Sequence, residues 1–158
     1  MRILILSGAM LAVGGCCFGG SSAPAAAPIN IAPGFQPQPT TATGSAGGIT
    51  DATTLNSECR GNIPLTPQHT LNVTAQIPNL TIMVNCPLGD TTLVVRTPTG
   101  QYLCNDDTDG LNPVVSGAFA PGTYEVFVGS YTHDSTGLNY RIGFTEQAGA
   151  MPSSLPAP

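Results

Sequence analysis

Apolar and polar residues alternate with a period of two through the middle of this chain. Leu71, Val73, Ala75 and Ile77 share one parity, and after the Pro78-Asn79 break Leu80, Ile82, Val84 and Cys86 share another. A period of two places successive side chains on opposite faces of an extended strand, so it predicts half-buried β-strands. Further runs of β-branched, aromatic and aliphatic residues follow at 92–97, 101–104, 114–119, 123–131 and 138–145. The joints between them carry turn chemistry: Thr97-Pro98-Thr99-Gly100 and Ala120-Pro121-Gly122-Thr123 each combine the fixed φ of proline with the freedom of glycine. No window carries a helical stripe of convincing length. Short strands at this density predict an all-β, antiparallel β-sandwich of seven to nine strands over residues 51–146.

The two flanks read differently. Met1-Arg2 is a short positive start, Ile3 to Val13 is apolar to weakly polar, and Gly14-Gly15 precede Cys16. The run is too short to span a bilayer and reads as a signal peptide over residues 1–15. Val13-Gly14-Gly15-Cys16 resembles a bacterial lipobox, which makes Cys16 the lipidated first residue of the mature chain. Ordinary secretion after cleavage between about residues 20 and 27 is the alternative, and both readings end outside the cytoplasm. Cys17 after Cys16, in place of aspartate, favours the outer membrane by the same resemblance. Residues 16–50, rich in Pro, Ala, Gly and Ser and uncharged through Thr50, are expected to form a disordered tether. A second loose segment is expected at 147–158.

Charge narrows the functional classes. The 158 residues include 9 Asp+Glu and 4 Lys+Arg, a net charge of −5, and all four bases are arginines (Arg2, Arg60, Arg96 and Arg141). A phosphate-binding surface needs clustered bases, so nucleic acid is excluded as an expected partner. Of the cysteines in the folded part, Cys86 keeps the inward parity of Leu80, Ile82 and Val84 and is expected to be a buried thiol. That leaves Cys59 with Cys104 as the favoured disulfide; Cys86 with Cys104, and Cys59 with Cys86, remain open.

One constellation offers chemistry. Asn105, Asp107 and Asp109 followed by Gly110 match the first half of a calcium loop, with Asp90, Asp51 or Asp134 available from neighbouring loops. The twelfth position is Ser116, not a bidentate glutamate, and the competing reading is that these residues make Asx turns. His69 and His133 lie near no nucleophile motif and read as solvated loop histidines, so no enzyme is expected. Tyr124 and Tyr140 share parity with core residues. Tyr131, with His133 and Asp134, is the candidate ligand platform.

The series Gly89-Asp90-Thr91-Thr92-Leu93, Pro98-Thr99-Gly100, Cys104-Asn105-Asp106-Asp107, Pro121-Gly122-Thr123-Tyr124-Glu125-Val126 and Tyr140-Arg141-Ile142 resembles the bacterial pre-peptidase C-terminal domain over about residues 55–146. The resemblance implies a jelly-roll-like β-sandwich that acts as a non-enzymatic binding or accessory module of secreted hydrolases or of the cell envelope, sometimes with calcium. In that family the positions of Cys59 and Cys104 look paired. The implied partner is an envelope protein or extracellular ligand, with the membrane reached through the lipid anchor. A structural surface lipoprotein that assembles with another envelope protein is the second reading, and a small secreted hydrolase the remote one.

Overall fold

The computed structural model describes residues 26–132 and 137–158. The signal peptide, the lipobox at Cys16, His133 and Asp134 lie outside the described residues. Eleven strands are present among the described residues: β1 (Ile29–Ile31), β2 (Thr40–Ala46), β3 (Thr50–Asp51), β4 (Asn62–Ile63), β5 (His69–Val73), β6 (Ile77–Asn85), β7 (Thr91–Arg96), β8 (Tyr102–Asn105), β9 (Val114–Phe119), β10 (Gly122–Ser130) and β11 (Leu138–Thr145). They form two layers. One sheet holds β8, β7, β10, β5 and β1, with β4 and β3 continuing from the far end of β10; the other runs β2, β11, β6, β9. The all-β sandwich expected from the alternation is therefore the fold. One detail departs from the antiparallel expectation, because β1 pairs β5 in parallel.

Alternation builds the core. Leu71 and Val73 on β5, Leu93 and Val95 on β7, and Tyr124, Val126 and Val128 on β10 face Leu80, Ile82 and Val84 on β6 and Tyr140, Ile142 and Phe144 on β11. All are buried, as is the Cys86 thiol. Removing this apolar surface from water is the main term that holds the layers together.

Two sequence expectations fail here. The segment expected to be a tether is folded from residue 26 to residue 50: β1 extends the first sheet, and β2 pairs all along β11, from Leu138↔Ala46 to Phe144↔Thr40. Composition suggested disorder because few of these residues are apolar. The strands are instead held by main-chain ladders and by a few inward residues, chiefly Ile31 and Ala46, both almost fully buried. Gln38 anchors the connection between them: its Oε1 accepts from Glu146 N (2.8 Å) and Thr145 Oγ1 (3.1 Å), while its Nε2 donates to Glu146 Oε2 (3.0 Å). These strands also explain why the count exceeds nine.

The C-terminal segment is likewise packed. A single 3₁₀ turn at Pro152–Ser154 delivers Leu155 onto the outer face of the second sheet, where it is 4% exposed. Gly143 leaves room for it, since a Cβ there would meet Leu155 Cδ2 at 2.7 Å. Asn85 Nδ2 donates to the carbonyl of Leu155 (2.9 Å), and Arg141 donates to those of Pro156 (Nε, 3.0 Å) and Ala157 (Nη2, 2.9 Å). This strap explains why Met83 and Thr145, whose parity points outward, are buried.

The first sheet has its own cover. Residues 52–61, between β3 and β4, fold over its outer face, so that Ala52, Cys59 and Ile63 bury Val94 and Phe127 in a second, smaller core. Cys59 and Cys104 form the disulfide, with Cα atoms 5.2 Å apart and a separation of 45 positions in sequence. Cys59 sits in this covering flap, outside any strand. Closing a loop of that length restricts the unfolded chain and stabilises the fold by about 4 kcal/mol.

Leu155→Ala should destabilise the protein by about 3 kcal/mol, the usual cost of emptying a closed apolar site. Urea unfolding measures it, and a loss close to zero would mean that the strap is not seated. Reduction of the disulfide should loosen the 52–61 flap before the main core, read as earlier loss of amide protection there than in β6 and β11.

Candidate functional site

The end of the sandwich where β6 meets β7, β8 meets β9 and β10 meets β11 collects Asp90, Asn105, Asp107, Asp109 and Tyr131. Tyr131 N donates to Asp90 O (3.1 Å) and Thr91 N to Leu111 O (3.3 Å), so these loops touch. Asn105 faces inward to the loop: its Oδ1 accepts from Val114 N (2.7 Å) and Thr108 Oγ1 (2.8 Å). Asp109 Oδ2 accepts from Ser153 N (2.8 Å), tying the strap to this loop and lowering its carboxyl below the usual range. Those contacts are turn and staple chemistry. Among the described residues no group of three His, Cys, Asp or Glu side chains is arranged to hold a metal ion.

Asp90 differs from its neighbours. Partial burial, followed by the charges of Asp107 and Asp106, raises its pKa above the ordinary carboxylate value, and its Oδ1 is enclosed without a hydrogen-bond partner. Tyr131, the expected platform, is 46% exposed at the end of β10.

His69 overturns its sequence reading. It opens β5 with its ring inward, 5% exposed, and Nε2 lies 2.7 Å from the Tyr140 hydroxyl of the opposite sheet. Burial lowers its pKa to about 4, because the charged imidazolium is poorly solvated there. The proline before it suggested a loop, yet His69, Leu71 and Val73 alternate as inward residues, and that parity was the available signal. An imidazole sealed in this way has no access to a substrate.

A recessed surface that sequence reasoning missed lies on the outer face of the first sheet. The covering flap and the β3–β4 pair leave a recess of about 370 Å³ floored by Ile63, Tyr102 and Phe127 and walled by Leu55 and Leu65. Leu65 is 75% exposed, Leu55 38% and the neighbouring Leu103 39%. Arg96 and Glu125, paired across β7 and β10 at 2.9 Å, stand on its rim. The disulfide fixes the adjoining wall, since Cys104 follows Tyr102 and Leu103 on β8. Nothing in the spacing of Leu55 or Leu65 signalled it, because the recess exists only once the flap is folded back.

Neither a family model nor a curated protein matches this chain. Among solved structures it is similar to the pre-peptidase C-terminal domain of a collagenase from Bacillus anthracis, with 19% identity and a TM-score of 0.48, over 75% of this chain and 95% of that one. It is similar also to Aeromonas hydrophila PliG, a periplasmic inhibitor of g-type lysozyme, with 15% identity and a TM-score of 0.36, over 75% and 96% of the two chains. At these identities the likeness concerns the fold.

Two outcomes are expected in solution. Stability should fall as pH drops from about 6.5 towards about 4, where the unfolded chain takes up a proton that folded His69 refuses; the loss approaches about 3 kcal/mol and is absent above that window. His69→Gln should remove this part of the slope while lowering stability overall. Asp90→Asn should raise Tm at pH 7 in chelator and lose that advantage in acid, once the wild-type carboxyl is itself protonated, which happens at a higher pH than for an ordinary carboxylate. Calcium should leave the wild-type Tm within about 1 °C; a clear rise abolished by Asp107→Ala would make the loop end a metal site.

Proposed function

We propose that this protein is a non-enzymatic binding module of the bacterial cell envelope or of the secreted fraction, engaging its partner through the recess around Tyr102. The observation that carries the reading is the exposed apolar wall. Leu55 and Leu65 stand exposed beside a half-buried tyrosine, although the same sheet buries Phe127 and Val94. Side chains that the fold does not need, gathered on a disulfide-fixed surface, are what a protein partner uses. The Arg96–Glu125 pair on the rim adds orientation more than affinity, since both side chains are well exposed.

Delivery rests on the N-terminal sequence. Lipidation at Cys16 would hold the module at the outer membrane, and the disulfide suits an oxidising compartment. With residues 26–50 folded into the sandwich, nine residues separate Cys16 from the first described residue, so the module would stand close to the membrane surface.

A photo-crosslinking residue at Leu65, in the full chain exposed to envelope extracts of its source cells, should give discrete adducts that weaken when Tyr102 is replaced by alanine. The same residue at Thr74, on the β5–β6 turn, should give none. Equal labelling from both positions would contradict the reading. Growth with an alkynyl fatty acid should label the wild type and not Cys16→Ala; equal labelling would remove the anchor.

A further inference from the structure

We infer that the open side of the sandwich between β8 and β9 is a docking cleft for an extended polypeptide carrying one basic and one apolar side chain about four residues apart. The inference rests on the binding-module reading and names the partner at the adjoining surface, since Tyr102 lines both the recess and the cleft.

The cleft follows from the topology. Among the described residues β8 pairs only with β7, and β9 only with β6, so the two sheets each end in a free edge on this side. They are stapled where Asn105 at the end of β8 accepts from the amide of Val114 at the start of β9 (2.7 Å). Two recesses that share Leu103 lie along these edges. The first, about 440 Å³, is lined by Glu58, Tyr102, Leu103, Val115 and Ser116. The second, about 290 Å³, is uncharged and mainly apolar: Pro98, Leu103, Ala118, Ala120, Pro121 and Tyr124 line it, with Thr97, Thr99 and Gln101 at one side.

A strand paired on one side leaves alternate N–H and C=O groups unpaired on the other, and an added strand satisfies them. On β9 the stretch Ser116-Gly117-Ala118 is exposed throughout and carries only small side chains, so another main chain can approach closely. β9 has neither proline nor charge, the usual devices that blunt an edge. On β8, by contrast, the Tyr102 carbonyl already accepts from Asn56 Nδ2 (3.4 Å), which leaves β9 as the pairing edge and Leu103 as the facing wall.

Side-chain preference follows from the lining. Glu58 is the one charged residue around the larger recess, and the smaller recess has none. The cleft therefore offers a negative end and an apolar end. From Val114 to Ala118 an extended chain covers four residues, about 14 Å, and residues four apart lie on the same face of a strand. An arginine or lysine beside Glu58 and a leucine-sized residue in the Ala118–Tyr124 recess satisfy both ends at once. The Arg96–Glu125 pair lies outside this lining and contributes nothing to it.

The test uses the intact chain and a set of fluorescein-labelled, end-blocked decapeptides of alternating Thr and Val, each with Arg and Leu at a chosen spacing. Binding by anisotropy should be strongest at a spacing of four. A central proline, which cannot pair with the edge, should abolish it. Ala118→Trp, which fills the apolar recess from an exposed position, should weaken binding at least about tenfold, and Glu58→Gln should weaken only peptides that carry the basic residue and flatten their salt dependence. Leu103→Asp serves as a second blocking variant should Ala118→Trp unfold, and Thr74→Ala on the β5–β6 turn should change nothing. Binding that survives both blocking variants, or no binding by any member of the set, overturns the cleft. Crosslinking at Leu65 that persists in either case leaves the binding-module reading standing without it.

Discussion

Tyr140 is the side chain on which the two layers and the N-terminal segment converge. It is the largest of the fully buried side chains; its hydroxyl meets His69 of the other sheet at 2.7 Å, and its ring lies over Gly44 of β2, directly across the ladder. A Cβ at Gly44 would collide with that ring, so the glycine is required by the approach of the aromatic. A buried tyrosine hydroxyl without a partner would offset much of what its ring gains, and the imidazole supplies that partner. Burial accordingly raises the pKa of the phenol and lowers that of the imidazole. Two polar groups in the middle of an apolar layer thereby fix which residue of β5 faces which residue of β11.

Around this contact the fold solves one problem twice. Each sheet has an inner face against the other sheet and an outer face that is partly apolar: Val94 and Phe127 on one, Met83 on the other. The 52–61 flap covers the first and is pinned by the disulfide; the 152–158 strap covers the second and is pinned by Leu155 and by carbonyl contacts with Asn85 and Arg141. The flap leaves Tyr102 only partly covered. Beyond it the apolar surface stays open, and that is where the recess and the β8–β9 cleft lie.

The sequence made the central strands legible because alternation is a property of single strands. Leu80, Ile82, Val84 and Cys86 announced their own burial, and Tyr124 and Tyr140 could be placed in the core by parity alone. Strands whose stability comes from a partner's ladder gave no such signal. Thr40–Ala46 has one fully buried residue, Ala46, and reads as a polar, flexible stretch until β11 is laid beside it. His69 was misplaced for a related reason, since its partner lies 71 residues away. The acidic loop was legible as turn chemistry; that Asn105 staples β8 to β9 was not, because the amide it holds belongs to a strand nine residues on.

The account stands or falls on whether residues 40–46 belong to the folded unit. Amide exchange on the intact chain measures this most directly. Those Thr40–Ala46 amides that bond to β11 should exchange as slowly as the amides of Leu138–Thr145 that bond to β2, because opening one strand exposes the other. Exchange of the Thr40–Ala46 amides at the rate of an unstructured chain, with β11 still protected through β6, would contradict it and return the segment to the status of a tether.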